Sequence, residues 1–332
     1  IHRRQMTPVA EVYEADRATF AADIAGKDAP VVLRGAVADW PLVEAAQTSV
    51  ATFAETLERE ASDVAGEAWF AEPTVAGRFG FTADFASYNH DRRQATVAQL
   101  LALLLRQQGA ARPYAMFAGA LPVATHLPGF RTTHPMPLLE GEEMLVSLWL
   151  GNRTKTATHF DFPHNLACVV AGRRRFTLFP TEQARNLYIG PLDVTLAGQP
   201  SSMVDVAAPD LSRFPRYADA ATAALTAELE PGDALYVPSL WWHAVESRDD
   251  VAAMVNYWWR DEGLGSSPFT ALLHAAGAMA TIPANERARW RALFNYFAFD
   301  PDSGKHLPER YRPRSLTDAI RARIIRSLGG KP

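Results

Sequence analysis

His159-Phe160-Asp161, inside Thr156-Ala157-Thr158-His159-Phe160-Asp161 and answered far downstream by Trp241-Trp242-His243, is the stretch on which fold and chemistry turn. Side chains alternate along an extended strand, so His159 and Asp161 point to one side and Phe160 to the other. Two imidazoles and one carboxylate are the donors of an open iron(II) site, which leaves one face of an octahedral ion free for a cosubstrate and oxygen. The spacing predicts a strand here. It also marks His159, Asp161 and His243 as a metal-binding, catalytic set.

The surrounding rhythm fits that strand. Short apolar runs broken by turns predict strands over Met144–Leu150, Thr156–Phe162, Asn165–Ala171, Arg174–Phe179, Ala234–Val237, Ala244–Ser247 and Ala252–Trp258. Many short strands in succession predict a sandwich or barrel. In Glu230-Pro231-Gly232-Asp233, proline presets φ and glycine accepts positive φ, so a turn is expected before an apolar strand. Ahead of this region, residues 13–24, 51–61 and 95–107 have helical spacing, and Pro30–Gly35 reads as a buried strand. The third helix carries Val97, Leu100, Leu101, Leu103, Leu104 and Leu105, so most of its surface must be covered. Residues 267–297 read as a strongly apolar helical region, and 190–222, rich in Pro, Ala, Asp and Ser, as a long insertion that covers a site.

Composition narrows the function classes. The 332 residues are 48% hydrophobic and 21% charged, an ordinary globular balance. A formal net charge of -4 and a pI near 6.2 give no electrostatic reason to expect nucleic acid as a partner. Cys168 is the lone cysteine, so no intramolecular disulfide forms and a reducing compartment is the simpler assumption. No apolar stretch is long enough for a membrane span, and Ile1-His2-Arg3-Arg4 lacks an apolar signal region. A soluble, cytoplasmic protein with no membrane partner is the expectation.

Several motifs occur together in one order: Thr156 to Asp161, Asn165, Gly172-Arg173-Arg174-Arg175-Phe176-Thr177-Leu178-Phe179-Pro180, Pro231-Gly232-Asp233, Trp241-Trp242-His243 and Asn256-Tyr257-Trp258. Over roughly residues 30–260 the chain resembles the cupin-like JmjC hydroxylases. That resemblance implies a mainly β protein with flanking helices, built on a double-stranded β-helix (cupin or jelly-roll) barrel. Residues 1–110 would form an N-terminal α/β region flanking the barrel, 111–262 the barrel core, and 263–332 a C-terminal helical region. It implies Fe(II) on His159, Asp161 and His243, with 2-oxoglutarate as cosubstrate beside them. The expected chemistry converts the cosubstrate to succinate and carbon dioxide and hydroxylates a protein side chain or a small molecule. The C-terminal helices would make a homodimer.

The resemblance also assigns cosubstrate contacts. Arg174 stands where an asparaginyl hydroxylase of the family has lysine, and would meet the distal carboxylate. The exchange is not neutral, because guanidinium is planar and grips a carboxylate with two parallel hydrogen bonds where ammonium is a point charge. Thr156 matches a hydroxyl that helps hold the same carboxylate, Asn165 and Asn256 match polar residues nearby, and Tyr114, on a strand-like run, is a candidate for one more hydroxyl. A plainer reading makes Arg174 a solvated strand residue in an arginine run, and gives Thr156 and the two asparagines ordinary turn or strand hydrogen bonds. Two other classes stay open: a cupin metalloenzyme using another acid, and a non-catalytic ligand-binding barrel.

Overall fold

Short strands from Met144 to Trp259, the central ones buried on both faces, form the heart of two sheets. The computed structural model describes residues 6–260, apart from 193, 194, 196 and 197, and residues 268–308, apart from 301, 304, 305 and 307. The strands are β1 (Thr7–Pro8), β2 (Ala10–Tyr13), β3 (Val31–Arg34), β4 (Gly66–Ala71), β5 (Arg78–Phe79), β6 (Asp91–Ala95), β7 (Ala115–Pro122) and β8 (Met144–Gly151). They continue with β9 (Lys155–Thr156), β10 (His164–Ala171), β11 (Arg174–Phe179), β12 (Leu225–Leu229), β13 (Ala234–Val237), β14 (Trp242–Ser247) and β15 (Ala252–Trp259). One sheet runs β1-β12-β11-β14-β9-β5, and the other runs β2-β3-β13-β10-β15-β8-β7-β4-β6.

Alternation sorts each strand of the larger sheet into two faces. Leu166, Cys168 and Val170 on β10, with Val255 and Tyr257 on β15, join a core that includes Leu42, Val43, Phe53, Leu57, Leu100, Leu101 and Leu104. Those partners come from helices α1 (Pro41–Thr48), α2 (Val50–Glu60) and α3 (Val97–Arg106). Proline at the first turn opens α1, the Ser49 hydroxyl caps α2, and a Thr96/Gln99 capping box opens α3. The other face carries Ala167, Val169, Leu235 and Met254 onto Phe176 and Leu178 of the smaller sheet, closing the barrel interior. A fully buried Leu or Phe contributes roughly 1.5–3 kcal/mol through removal from water, so both layers are needed for the barrel to close.

The N-terminal segment does more than flank the barrel. β2 and β3 extend one edge of the larger sheet beside β13, and β4 and β6 extend the other beside β7. The helix expected over 13–24 begins only at Arg17, because Glu14 turns the chain through positive φ (55°) and the Asp16 carboxylate caps Thr19 N. The strand expected over Thr156–Phe162 is a ladder only at Lys155–Thr156. Beyond it the run lies between β14 and the 190–222 insertion, held by isolated bridges from His159 to His243 and to Ser201. Among its described residues that insertion carries α4 (Tyr217–Ala223).

The chain separates into two units, Ile1–Asp261 and Glu262–Pro332. The second contains α5 (Pro268–Ala280) and α6 (Ala284–Phe294), neither with a buried residue; Leu272, Trp290, Leu293 and Phe297 are exposed. Among the described residues, no helix is long and apolar enough to cross a membrane.

Candidate active site

The run after β9 brings the three expected donors together. His159, Asp161 and His243 each offer a ligand atom within 4.8 Å of the others. A reciprocal backbone pair fixes the two histidines: His159 N donates to His243 O at 3.1 Å, and His243 N donates to His159 O at 2.7 Å. Each ring then uses Nδ1 on a carbonyl two residues back, His159 on Ala157 O at 2.9 Å and His243 on Trp241 O at 3.0 Å. With Nδ1–H donating, both Nε2 lone pairs are free to face a metal, the arrangement by which an outer partner fixes the tautomer of a ligating histidine. His243 Nε2 lies 3.6 Å from Asp161 Oδ2. Burial, with His159 beside it, holds the His243 imidazole down to about 4. Near neutral pH it is therefore the neutral ring that metals require. Phe160 turns away, its ring edge-on to Trp242 at 4.8 Å.

Arg174 is the second element of the site. The run Gly172-Arg173 carries the chain from β10 in one sheet to β11 in the other; Gly172 has φ 66°, and a Cβ there would meet Val251 O at 2.7 Å. Arg174 shares its strand face with Phe176 and Leu178, which line the interior, and is only 2% exposed. Its Nε and Nη2 have no hydrogen-bond partner among the described residues. These two atoms form the side-on edge of the guanidinium, the edge that takes both oxygens of a carboxylate. Burial lowers its pKa to about 10, so the cation persists at neutral pH. The plainer reading of a solvated strand residue is therefore corrected. In the β11–β14 register Arg174 stands opposite Ser247 and Leu178 opposite His243, so cation and metal ligand lie on one face, about 13 Å apart along the strand.

The remaining expected residues divide. Asn256 is fully buried and links two neighbours: it accepts from Trp149 Nε1 at 2.5 Å and donates to Asn165 Oδ1 at 3.3 Å. The Thr156 hydroxyl accepts from Val245 N at 3.2 Å and so ties β9 to β14. Tyr114 is not brought inward. It precedes β7 at 48% exposure, its backbone held by Gln107 and by Asn152, and the expected extra hydroxyl does not come from it.

The sequence marked 190–222 as an insertion over a site but not which of its residues touch the metal set. Gln199 Nε2 donates to Asp161 Oδ1 at 3.4 Å, Ser201 bridges His159, and Ser202 N donates to Thr158 O at 2.8 Å. No local pattern marks these residues, because their partners lie some forty positions upstream.

The donor set and the orphaned cation fit iron(II) and a dicarboxylic keto acid. A two-sheet barrel holding a His-Asp-His set, with a buried arginine further in, defines the oxygenase class of cupin domain. Residues 17–264 match the family model described as "Cupin-like domain", and the chain belongs to the cupin-like JmjC family of iron(II)- and 2-oxoglutarate-dependent oxygenases. It is similar to "Lysine-specific demethylase JMJ31" of Arabidopsis thaliana, 32% identical over 124 residues, 37% of this chain and 22% of that protein. It is also similar to human "HSPB1-associated protein 1", 37% identical over 148 residues, 43% of this chain and 30% of that protein. With "Lysine-specific demethylase 8" of Xenopus tropicalis it is 29% identical over 119 residues, 36% of this chain and 26% of that protein. The chain thus matches less than a third of the length of each of these relatives.

Proposed function

We propose that this chain is an oxygenase that hydroxylates a protein side chain or a small molecule, with His159, Asp161 and His243 holding iron(II) and Arg174 gripping the distal carboxylate of 2-oxoglutarate. The observation that carries the reading is the unpartnered side-on edge of Arg174, buried on the face that also presents His243. When bound, iron(II) and the keto acid would supply dioxygen activation: dioxygen is the oxidant, one of its atoms leaves in succinate, released with carbon dioxide from the keto acid, and the other enters the substrate as the hydroxyl. The protein's residues do the rest. The Ala157 and Trp241 carbonyls orient the two imidazoles, and Gln199 holds the Asp161 oxygen that does not face His243. Asn165, Asn256 and Trp149 form a hydrogen-bonded wall beside the cosubstrate, and the apolar interior around Phe176 and Leu178 excludes water.

A second reading is favoured by the names of two relatives, "Lysine-specific demethylase JMJ31" and "Lysine-specific demethylase 8". Hydroxylation of an N-methyl carbon gives a product that releases formaldehyde, so the same site serves demethylation. Succinate release driven by added iron and 2-oxoglutarate tests the common chemistry, and replacing His159 or Asp161 by alanine is expected to abolish it. A 16 Da gain on the substrate, against formaldehyde release from methylated peptides, separates the two outcomes. A homodimer through the C-terminal helices belongs to the same proposal, supported by the apolar side chains those helices leave exposed.

A further inference from the structure

The outer face of β15 borders a pocket that the barrel chemistry does not use. On that strand Asn256 turns into the barrel while Val255 and Tyr257 turn to the helix-covered core, so Tyr257 lies across the larger sheet from the metal set. There Tyr257 lines a pocket of about 280 Å³, with Arg131, Met136, Pro137, Leu139 and Met144 among its other walls. The volume suits a molecule smaller than a drug-sized ligand. Hydrogen bonds to the core fix the walls before any ligand arrives. Pro135 O accepts from Trp40 Nε1 at 2.9 Å, and His134 Nε2 accepts from Leu42 N at 3.2 Å. His134 Nδ1 pairs with the Thr133 hydroxyl at 2.8 Å, so both nitrogens of this wall residue are already engaged.

Two polar groups of this pocket have no partner. Tyr257 is 1% exposed, and its hydroxyl makes no hydrogen bond among the described residues. A buried hydroxyl left unpaired destabilises a fold, a cost that phenylalanine at this position would avoid. Burial raises the phenol above its ordinary value, so it stays protonated as a donor, and the charge of Arg131 reaches it and opposes that rise. Arg131, exposed at the rim, has no ion-pair partner among the described residues. Glu140, the acid on the same rim, is taken by Arg17 at 3.8 Å. One unpaired cation matches a single negative charge, and the methionine, proline and leucine walls match an apolar body. We infer that this pocket is a second binding site, which takes a small carboxylic acid with an apolar body and holds its carboxylate between the Tyr257 hydroxyl and the Arg131 guanidinium. It does not depend on iron or on 2-oxoglutarate.

The test is calorimetry on the full chain loaded with Mn(II) and saturated with 2-oxoglutarate, so that the barrel site is filled, titrated with phenylacetate and with its neutral match phenylacetamide. Phenylacetate is expected to bind at one site, roughly tenfold or more tighter than the amide. Tyr257→Phe is expected to weaken phenylacetate roughly tenfold or more and to leave the ligand-free unfolding midpoint unchanged or higher. Arg131→Gln, a change at an exposed position, should weaken phenylacetate by a similar factor and remove its advantage over the amide. No saturable binding to the wild type overturns the inference, as does equal affinity for acid and amide. Phenylacetate that binds only before 2-oxoglutarate is added occupies the barrel instead, which also overturns it. Unchanged affinity in Tyr257→Phe or in Arg131→Gln does the same, and so does a lowered midpoint in Tyr257→Phe, which would make the hydroxyl structural.

Discussion

Replacing Arg174 by methionine separates what the residue does for the fold from what it does for the ligand, because the two effects have opposite signs. In the ligand-free protein a 2%-exposed cation has Nε and Nη2 without partners, so its desolvation is uncompensated. Exchanging buried ions for apolar side chains of similar volume is commonly neutral or stabilising by about 1–4 kcal/mol, and Arg174→Met is expected to raise the ligand-free unfolding midpoint. Binding moves the other way. Two charge-assisted hydrogen bonds at about 1.5–3 kcal/mol each put the loss for a dicarboxylate near 3–6 kcal/mol, or a factor of roughly 10² to 10⁴ in Kd. Arg174→Lys keeps the charge but not the two-point grip and is expected to fall between. The assay is thermal unfolding of the Mn(II)-loaded protein with and without 2-oxoglutarate, where the ligand-induced rise reports affinity. A methionine variant that keeps the full rise, or that is less stable without ligand, refutes the reasoning.

Gln199→Ala removes the donor to Asp161; outer partners of this kind are worth roughly 10–100-fold in metal affinity, so iron titration should show this variant weaker. Asn256→Ala leaves the Trp149 indole and the Asn165 carbonyl oxygen without their bonds, at about 1–3 kcal/mol each, and a denaturant midpoint unchanged from wild type would contradict that linkage. His134 Nε2 accepts from Leu42 N at 3.2 Å at the start of α1, and burial holds the ring down to about 4 against an ordinary value near 6.5. The unfolded chain therefore takes up this proton first. The stabilising effect is present in full above pH 6.5 and is lost as pH falls toward 4, and His134→Gln should flatten the denaturant midpoint across that window. His90 and His243 act with the same sign, so part of the slope should remain. Light scattering should give twice the 36.5 kDa chain mass, with Trp290→Glu shifting it toward one chain; a wild-type particle of 36.5 kDa would remove the dimer.

The barrel strands were legible because their alternation is strong: the runs expected over Met144–Leu150, Arg174–Phe179 and Ala234–Val237 lie within β8, β11 and β13 almost residue for residue. The metal set was legible because three suitable donors occur at strand spacing. β4 and β6 were not. Asp91-Arg92-Arg93-Gln94 has no apolar alternation to mark a strand, yet β6 is an edge strand, where charged side chains are the usual protection against further pairing. Gln199 was equally hidden, since it gains its meaning only from Asp161, far away in sequence.

The run Arg173-Arg174-Arg175 shows how register turns an ambiguous pattern into a site. Charge alone does not tell the three apart, but a strand sends alternate residues to opposite faces. Arg173 pairs with Asp249 at 2.9 Å, and Arg175 with Glu228 and Glu246, on the exposed side. Only the middle residue enters the barrel. A slip of one position would carry Arg175 inward, away from Glu228 and Glu246, and turn Phe176 and Leu178 out to water, so burial and charge pairing oppose it together. Gly172 sets where the register begins, because its positive φ and the 2.7 Å approach to Val251 O exclude a side chain at the crossover. The same β11–β14 pairing that aligns Arg174 with Ser247 aligns Leu178 with His243, so metal ligand and carboxylate grip are placed by one ladder and cannot drift independently.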